Sequence, residues 1–108
     1  MAYGLALTAL SDPTRRSILE HLADQPSAVG ELADLLPVSR PAVSQHLKVL
    51  KEAGLIFEEP DGARRIYQLQ PDGLDELRHY LDRFWGHALA AFKFRVEQEV
   101  DHAKETQS

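Results

Sequence analysis

Val38-Ser39-Arg40-Pro41-Ala42-Val43-Ser44-Gln45-His46-Leu47-Lys48-Val49-Leu50 decides how the rest of this chain is read. Ser39 is a helix-capping residue, and Pro41 two positions on falls in the first turn, where its missing N–H costs nothing. Val43, Leu47, Leu50 and Ala53 then recur at spacings of four, three and three residues, which puts them on one face of a helix. Gly54 follows where a helix ends in a left-handed residue. The opposite face carries Arg40, Ser44, Gln45 and Lys48. No acid occurs from Leu35 to Lys51, although the chain as a whole has 17 acids against 12 lysines and arginines.

Working outward, Val29, Leu32, Ala33, Leu35 and Leu36 predict a short amphipathic helix that stops at Pro37, because the residue before proline is pushed out of the α region. Upstream, Ser11-Asp12-Pro13-Thr14 starts a helix whose apolar face is Ile18, Leu19 and Leu22, and Asp24-Gln25-Pro26-Ser27 breaks it. Residues 5–10 are apolar enough for one or two further turns. Downstream the period changes. Leu55-Ile56-Phe57-Glu58-Glu59 and Arg64-Arg65-Ile66-Tyr67-Gln68-Leu69 flank Pro60-Asp61-Gly62-Ala63, the signature of a hairpin. After Pro71-Asp72-Gly73 a long helical stripe runs through Leu74, Leu77, Leu81, Phe84, Trp85, Ala88, Leu89, Phe92 and Val96, turning polar beyond Glu99.

The predicted fold is mainly α with a small β-hairpin, laid out as a winged helix-turn-helix with flanking helices. Residues 1–10 form an N-terminal helix, 11–70 the winged core, 71–100 a C-terminal helix and 101–108 a frayed tail. A helix with a rigid apolar back and a polar, basic front is what entry into the DNA major groove requires. Arginine pairs with guanine, glutamine with adenine, and serine reaches a base or a phosphate. The expected major-groove contacts are therefore Ser39, Arg40, Ser44, Gln45, His46 and Lys48, on a recognition helix over 39–53. Lys51, Gly62, Arg64 and Arg65 are expected at the DNA backbone or minor groove through a wing over 56–69. Arg64 and Arg65 have a blander reading too, as solvated turn residues supporting Asp61 or Glu58.

Composition bounds the function. At 108 residues and a net charge of −5, the chain offers one modest core and no overall attraction to a polyanion. The acids gather late: from Asp72 onward, eight acids face five bases. The absence of cysteine excludes disulfides, thiolate metal sites and thiol redox chemistry. No apolar run reaches membrane-spanning length, and the first residues lack the basic flank of a secretory signal, so a cytoplasmic protein is expected. No phosphate-binding glycine loop or catalytic motif is present, and Ser44 and His46, two apart on a helix, point in different directions. An enzyme is not expected.

Four segments together resemble the ArsR family of bacterial transcriptional regulators: Asp12-Pro13-Thr14-Arg15-Arg16-Ser17-Ile18-Leu19, Val29-Gly30-Glu31-Leu32-Ala33, Ser39 through Leu50, and Ala53-Gly54-Leu55. The resemblance covers residues 10–69. It implies a homodimeric winged-helix repressor on an inverted-repeat operator, paired through its terminal helices. Leu5, Leu77, Leu81, Phe84, Trp85, Leu89 and Phe92 are the expected dimer contacts. The length of the apolar stripe argues for pairing independently, since so short a chain cannot cover it. The partners expected are double-stranded DNA and a second copy of the chain, with no cofactor and no membrane; no pattern names an effector.

The family's metal-sensing patterns are missing. Glu31-Leu32-Ala33-Asp34-Leu35 holds no thiolate where one site places cysteines. The Asp-x-His pair of the other is absent, because Leu77 precedes His79 by two and Trp85 precedes His87 by two. No metal is expected, zinc shared across a dimer being the residual form. Phe84 and Trp85 read first as core or dimer packing and second as the lining of a ligand pocket. A winged helix that contacts protein instead of DNA is the remaining alternative.

Overall fold

A computed structural model of the chain describes residues 2–107, with the surroundings of side chains 4–104. The elements run α1 (Ala2–Ala9), α2 (Pro13–Asp24), α3 (Val29–Leu35), α4 (Arg40–Glu52), β1 (Ile56–Asp61), β2 (Arg64–Leu69) and α5 (Pro71–Gln107). The fold is the one read from the sequence, mainly α with one antiparallel hairpin. The chain divides into two units, residues 1–77 and 78–108.

In the first unit, side-chain caps set the starts of α2 and α4. The Asp12 carboxylate accepts from the backbone N–H of Thr14 at 2.8 Å and of Arg15 at 3.1 Å. The bond from Arg15 holds its pKa below the usual carboxylate range. Ser39 Oγ accepts from the Ala42 N–H at 3.3 Å, and Pro41 sits in the first turn of α4. At the far end of α4, the Gly54 N–H donates to Lys51 O and the Leu55 N–H to Leu50 O, the bond pair of a Schellman motif, with Gly54 at φ +76°. Leu50 and Leu55, which this motif brings together, are both fully buried.

The core joins Ala6 and Ala9 of α1, Ile18 and Leu22 of α2, Leu32 of α3, Val43, Leu47 and Leu50 of α4, Ala53, Leu55, Ile56 and Leu77. Three readings change here. Leu35, placed on the apolar face of α3, is 60% exposed, while Leu36, at the C-cap, packs against the core. Leu77, expected at a dimer interface, is buried in this unit's own core at 7% exposed and has little surface left to offer a partner. Ser27, read only as part of a break, pairs with the wing. Its N–H and C=O exchange bonds with Tyr67 at 3.2 and 2.9 Å, which ties β2 to the segment before α3.

The hairpin register runs from Ile56 opposite Leu69 to Asp61 opposite Arg64. The loop is therefore only Gly62-Ala63, shorter than the four-residue turn read from sequence, because Pro60 and Asp61 continue β1. Gly62 takes φ +63°, as the first loop position of a type II′ turn requires.

The second unit is the helical segment from Arg78. Its helix continues past Val100 to Gln107, beyond the limit of residue 100 read from the change to polar sequence; Glu, Gln, Ala and Lys there are good helix formers even without an apolar face. Leu81, Phe84, Trp85, Leu89, Phe92, Val96 and Val100 are exposed along one stripe, and Phe94 lies off it. Tyr80 and Phe84 pack edge to face, ring centres 5.0 Å apart.

Gly73, in the first turn of α5, has no room for a side chain: an added Cβ would overlap the Gly54 carbonyl. Gly73→Ala is expected to cost roughly 1–3 kcal/mol by overpacking, read by urea unfolding. An unchanged midpoint would mean that α5 does not start against Gly54.

Candidate nucleic-acid interface

The face of α4 turned away from Val43, Leu47 and Leu50 carries Ser39, Arg40, Ser44, Gln45 and Lys48, and all five are exposed. Among the described residues, Arg40 and Lys48 have no ion-pair partner. The Arg40 guanidinium lies over Gly30 of α3, close enough that a Cβ there would touch it at 3.8 Å. Arg40, Arg64, Arg65 and Tyr67 line an open groove with Ala28, Val29 and Ala63, between the start of α3 and the wing.

His46 leaves this group. It is half-buried, and its Nδ1 stands 3.4 Å from the Arg15 guanidinium. Arginine only donates, so this bond needs Nδ1 as acceptor. His46 is thus turned toward the body of the unit. The sequence reading missed Arg15 and its neighbour. Arg15 donates to Ala9 O at 2.7 Å and Thr8 O at 3.3 Å, and Arg16 to Leu10 O at 2.7 Å. Arg15 thus gives the Ala9 carbonyl at the end of α1 a donor and adds to the Ser11 donors on Thr8 O, while Arg16 holds Leu10 O just beyond the helix. Two adjacent arginines just after a capped helix start were the available signal, but their targets lie upstream, beyond the reach of a local pattern.

The wing cations are all held by carboxylates. Arg64 Nη1 donates to Glu31 Oε1 at 2.9 Å, and its Nε is 3.5 Å from Asp61. Glu58 Oε1 accepts from both Lys51 Nζ at 3.0 Å and Arg65 Nη1 at 3.2 Å. The Tyr67 hydroxyl, directly across the hairpin, donates to Glu58 as well. The hydrogen bond from Lys51 is the main cause holding Glu58 below the usual glutamate range, while burial and then Glu58 raise Tyr67. Arg64 with Asp61 and Arg65 with Glu58 are the pairs named in the blander reading, in which the two arginines support these acids. Gly62 is exposed at the tip.

Among the described residues, no three His, Cys, Asp or Glu side chains gather to hold a metal ion, and no helix is long and apolar enough to cross a membrane.

Comparison with known proteins agrees with this geometry. Residues 10–57 match the model of a helix-turn-helix domain. The chain is 59% identical to the HTH-type transcriptional regulator Rv2034 of Mycobacterium tuberculosis, over 89% of this chain and 90% of that protein. It is 44% identical to the HTH-type transcriptional repressor SmtB of the same species, over 63% of this chain and 50% of that protein. Among solved structures it resembles an ArsR-like transcriptional regulator from Rhodococcus sp. RHA1, with a TM-score of 0.72 and 34% identity over 85% of this chain and 90% of the other.

Because its folded pKa is lowered, the Glu58 contribution to stability is full above the usual glutamate range and is lost as pH falls through the lowered value. Wild-type and Glu58→Gln protein are expected to differ in unfolding free energy near neutrality by no more than about 1 kcal/mol, and to converge in acid. A gap that persists in acid would contradict a stabilising ionised Glu58.

Proposed function

Because the chain belongs to the ArsR family of winged helix-turn-helix transcriptional regulators, we propose that it is a homodimeric repressor whose α4 helices read an inverted-repeat operator. The observation that carries this reading is the outward face of α4. A basic, hydrogen-bonding surface, with Arg40 and Lys48 unengaged, is fixed from behind by three fully buried side chains. Ser39, Arg40, Ser44, Gln45 and Lys48 take the major groove, and Lys51, Gly62, Arg64 and Arg65 take the backbone. His46 acts through α4 by bracing it against Arg15. Repression, as opposed to activation, draws support from the name of the related repressor SmtB. A regulator of chromosomal DNA would act in the cytoplasm.

The homodimer draws support from two exposed apolar surfaces. Trp85 is 64% exposed and Phe92 59%, on a helix stripe that also offers Leu81, Phe84 and Leu89. Leu5 on α1 is 58% exposed. An isologous pairing removes such surfaces from water, and it sets two reading helices roughly one DNA turn apart, ~34 Å.

Selection of bound sequences from a random duplex pool tests the reading; it is expected to yield an inverted repeat. On that site Gln45→Ala is expected to cost ~1–3 kcal/mol and relax base preference, whereas Arg65→Ala weakens all sequences alike. Unchanged affinity and preference in Gln45→Ala would move the reading face elsewhere. Trp85→Glu combined with Leu89→Glu is expected to yield monomers in sedimentation and to lose tight operator binding. A dimer that survives both changes would remove α5 from the interface.

A further inference from the structure

The cations proposed for the DNA backbone and those proposed for base edges are in different states. Arg40 and Lys48, on the α4 front, have no carboxylate partner among the described residues. Lys51, Arg64 and Arg65 all do. Glu58 Oε1 sits between Lys51 Nζ and Arg65 Nη1, at 3.0 and 3.2 Å, and Glu31 Oε1 holds Arg64 Nη1 at 2.9 Å. A carboxylate oxygen in these positions presents the same charge and acceptor geometry as a phosphate oxygen. Glu31 belongs to α3 and Glu58 to β1, so the two come from separate elements on either side of the wing arginines.

The strength of these pairs decides what they can do. The Lys51, Arg64 and Arg65 side chains are more than half exposed. Exposed pairs are worth up to about a fivefold change in an equilibrium. A duplex that releases counterions at each phosphate contact gains more than that. The carboxylates therefore yield to DNA, and their displacement subtracts from the affinity.

We propose that Glu31 and Glu58 are internal competitors for DNA phosphate, which occupy the wing cations in the free protein and lower its affinity for duplex of any sequence. The proposal rests on the reading of Lys51, Arg64 and Arg65 as backbone contacts. It identifies a device by which a regulator limits its retention on random DNA, since each backbone contact must first be vacated. Base discrimination is left to α4, whose cations stand ready.

The test is a binding titration of the full chain on a duplex of random sequence at fixed salt, with Glu31→Gln, Glu58→Gln and the double variant. Glu59→Gln serves as control. Glu59 neighbours Glu58 on the same strand and accepts only from Gln68 at 3.1 Å among the described residues, so its loss changes net charge equally without freeing a cation. Each single variant is expected to bind about 3–5-fold tighter than wild type and the double about tenfold, with Glu59→Gln within about twofold. Thermal unfolding confirms that the variants fold, and Glu31→Gln combined with Asp61→Asn, which removes the second carboxylate 3.5 Å from Arg64 Nε, carries the test if Glu58→Gln does not. Variants no tighter than Glu59→Gln overturn the proposal. Weaker binding overturns it too, and would make the carboxylates positioning groups that aim the cations. An Arg65→Ala arm separates the premise from the proposal. If it loses affinity while the Glu variants gain none, the backbone reading stands and the competition falls; if it loses nothing, the backbone reading itself falls.

Discussion

Burial of Val43, Leu47 and Leu50 fixes the rotation of α4, and the functional surface depends on that rotation. Each of these side chains gains roughly 1.5–3 kcal/mol by leaving water. Turning the helix by half a revolution would expose all three and press Arg40, Ser44 and Lys48 into the core, where unpaired charge is far more costly. The helix cannot slide along its axis either. Ser39 caps one end, and the Schellman motif at Gly54 locks the other, with Leu50 and Leu55 closed over it. The outward row of polar side chains is therefore a consequence of the core.

Much of this was legible in the sequence because the signals are local. The α4 stripe, its capping serine, Pro41 and Gly54 lie within one stretch and act within it. The hairpin followed from a change of period around a turn, and its loop came out shorter only because β pairing carried Pro60 and Asp61 into the strand. What escaped the sequence depends on contacts between distant positions. Arg15 reaches back to α1 and across to His46, so a histidine of α4 that looked available for DNA is engaged by the body. Leu77 shares its helical face with Leu81 and Phe84, but it falls in the first unit's core and they do not. Spacing gives a face; it does not say where along a helix the neighbour changes. The carboxylate partners of Arg64, Arg65 and Lys51 were only half visible: Asp61 and Glu58 could be guessed from the hairpin, Glu31 could not.

The net charge of −5 no longer conflicts with a DNA-binding role once charge is mapped to position. Overall acidity opposes loose attachment to any duplex, and the acid-free stretch from Leu35 to Lys51 supplies the local field. Ser27 adds rigidity. Its bridge to Tyr67 anchors the wing to the body, so the groups at the hairpin are held in a fixed relation to α3 and α4 instead of on a free loop. The stripe from Leu81 through Val96 stays exposed on the described chain, and the proposed pairing of two copies would cover it.

The proposal places the Ser39–Lys48 side of α4 in the major groove. Dimethyl sulfate footprinting on the selected site tests it most directly, because the reagent attacks guanine N7 on the major-groove edge. Two protected clusters of guanines about one helical turn apart are expected. Full protein occupancy with every guanine N7 still reactive would contradict it.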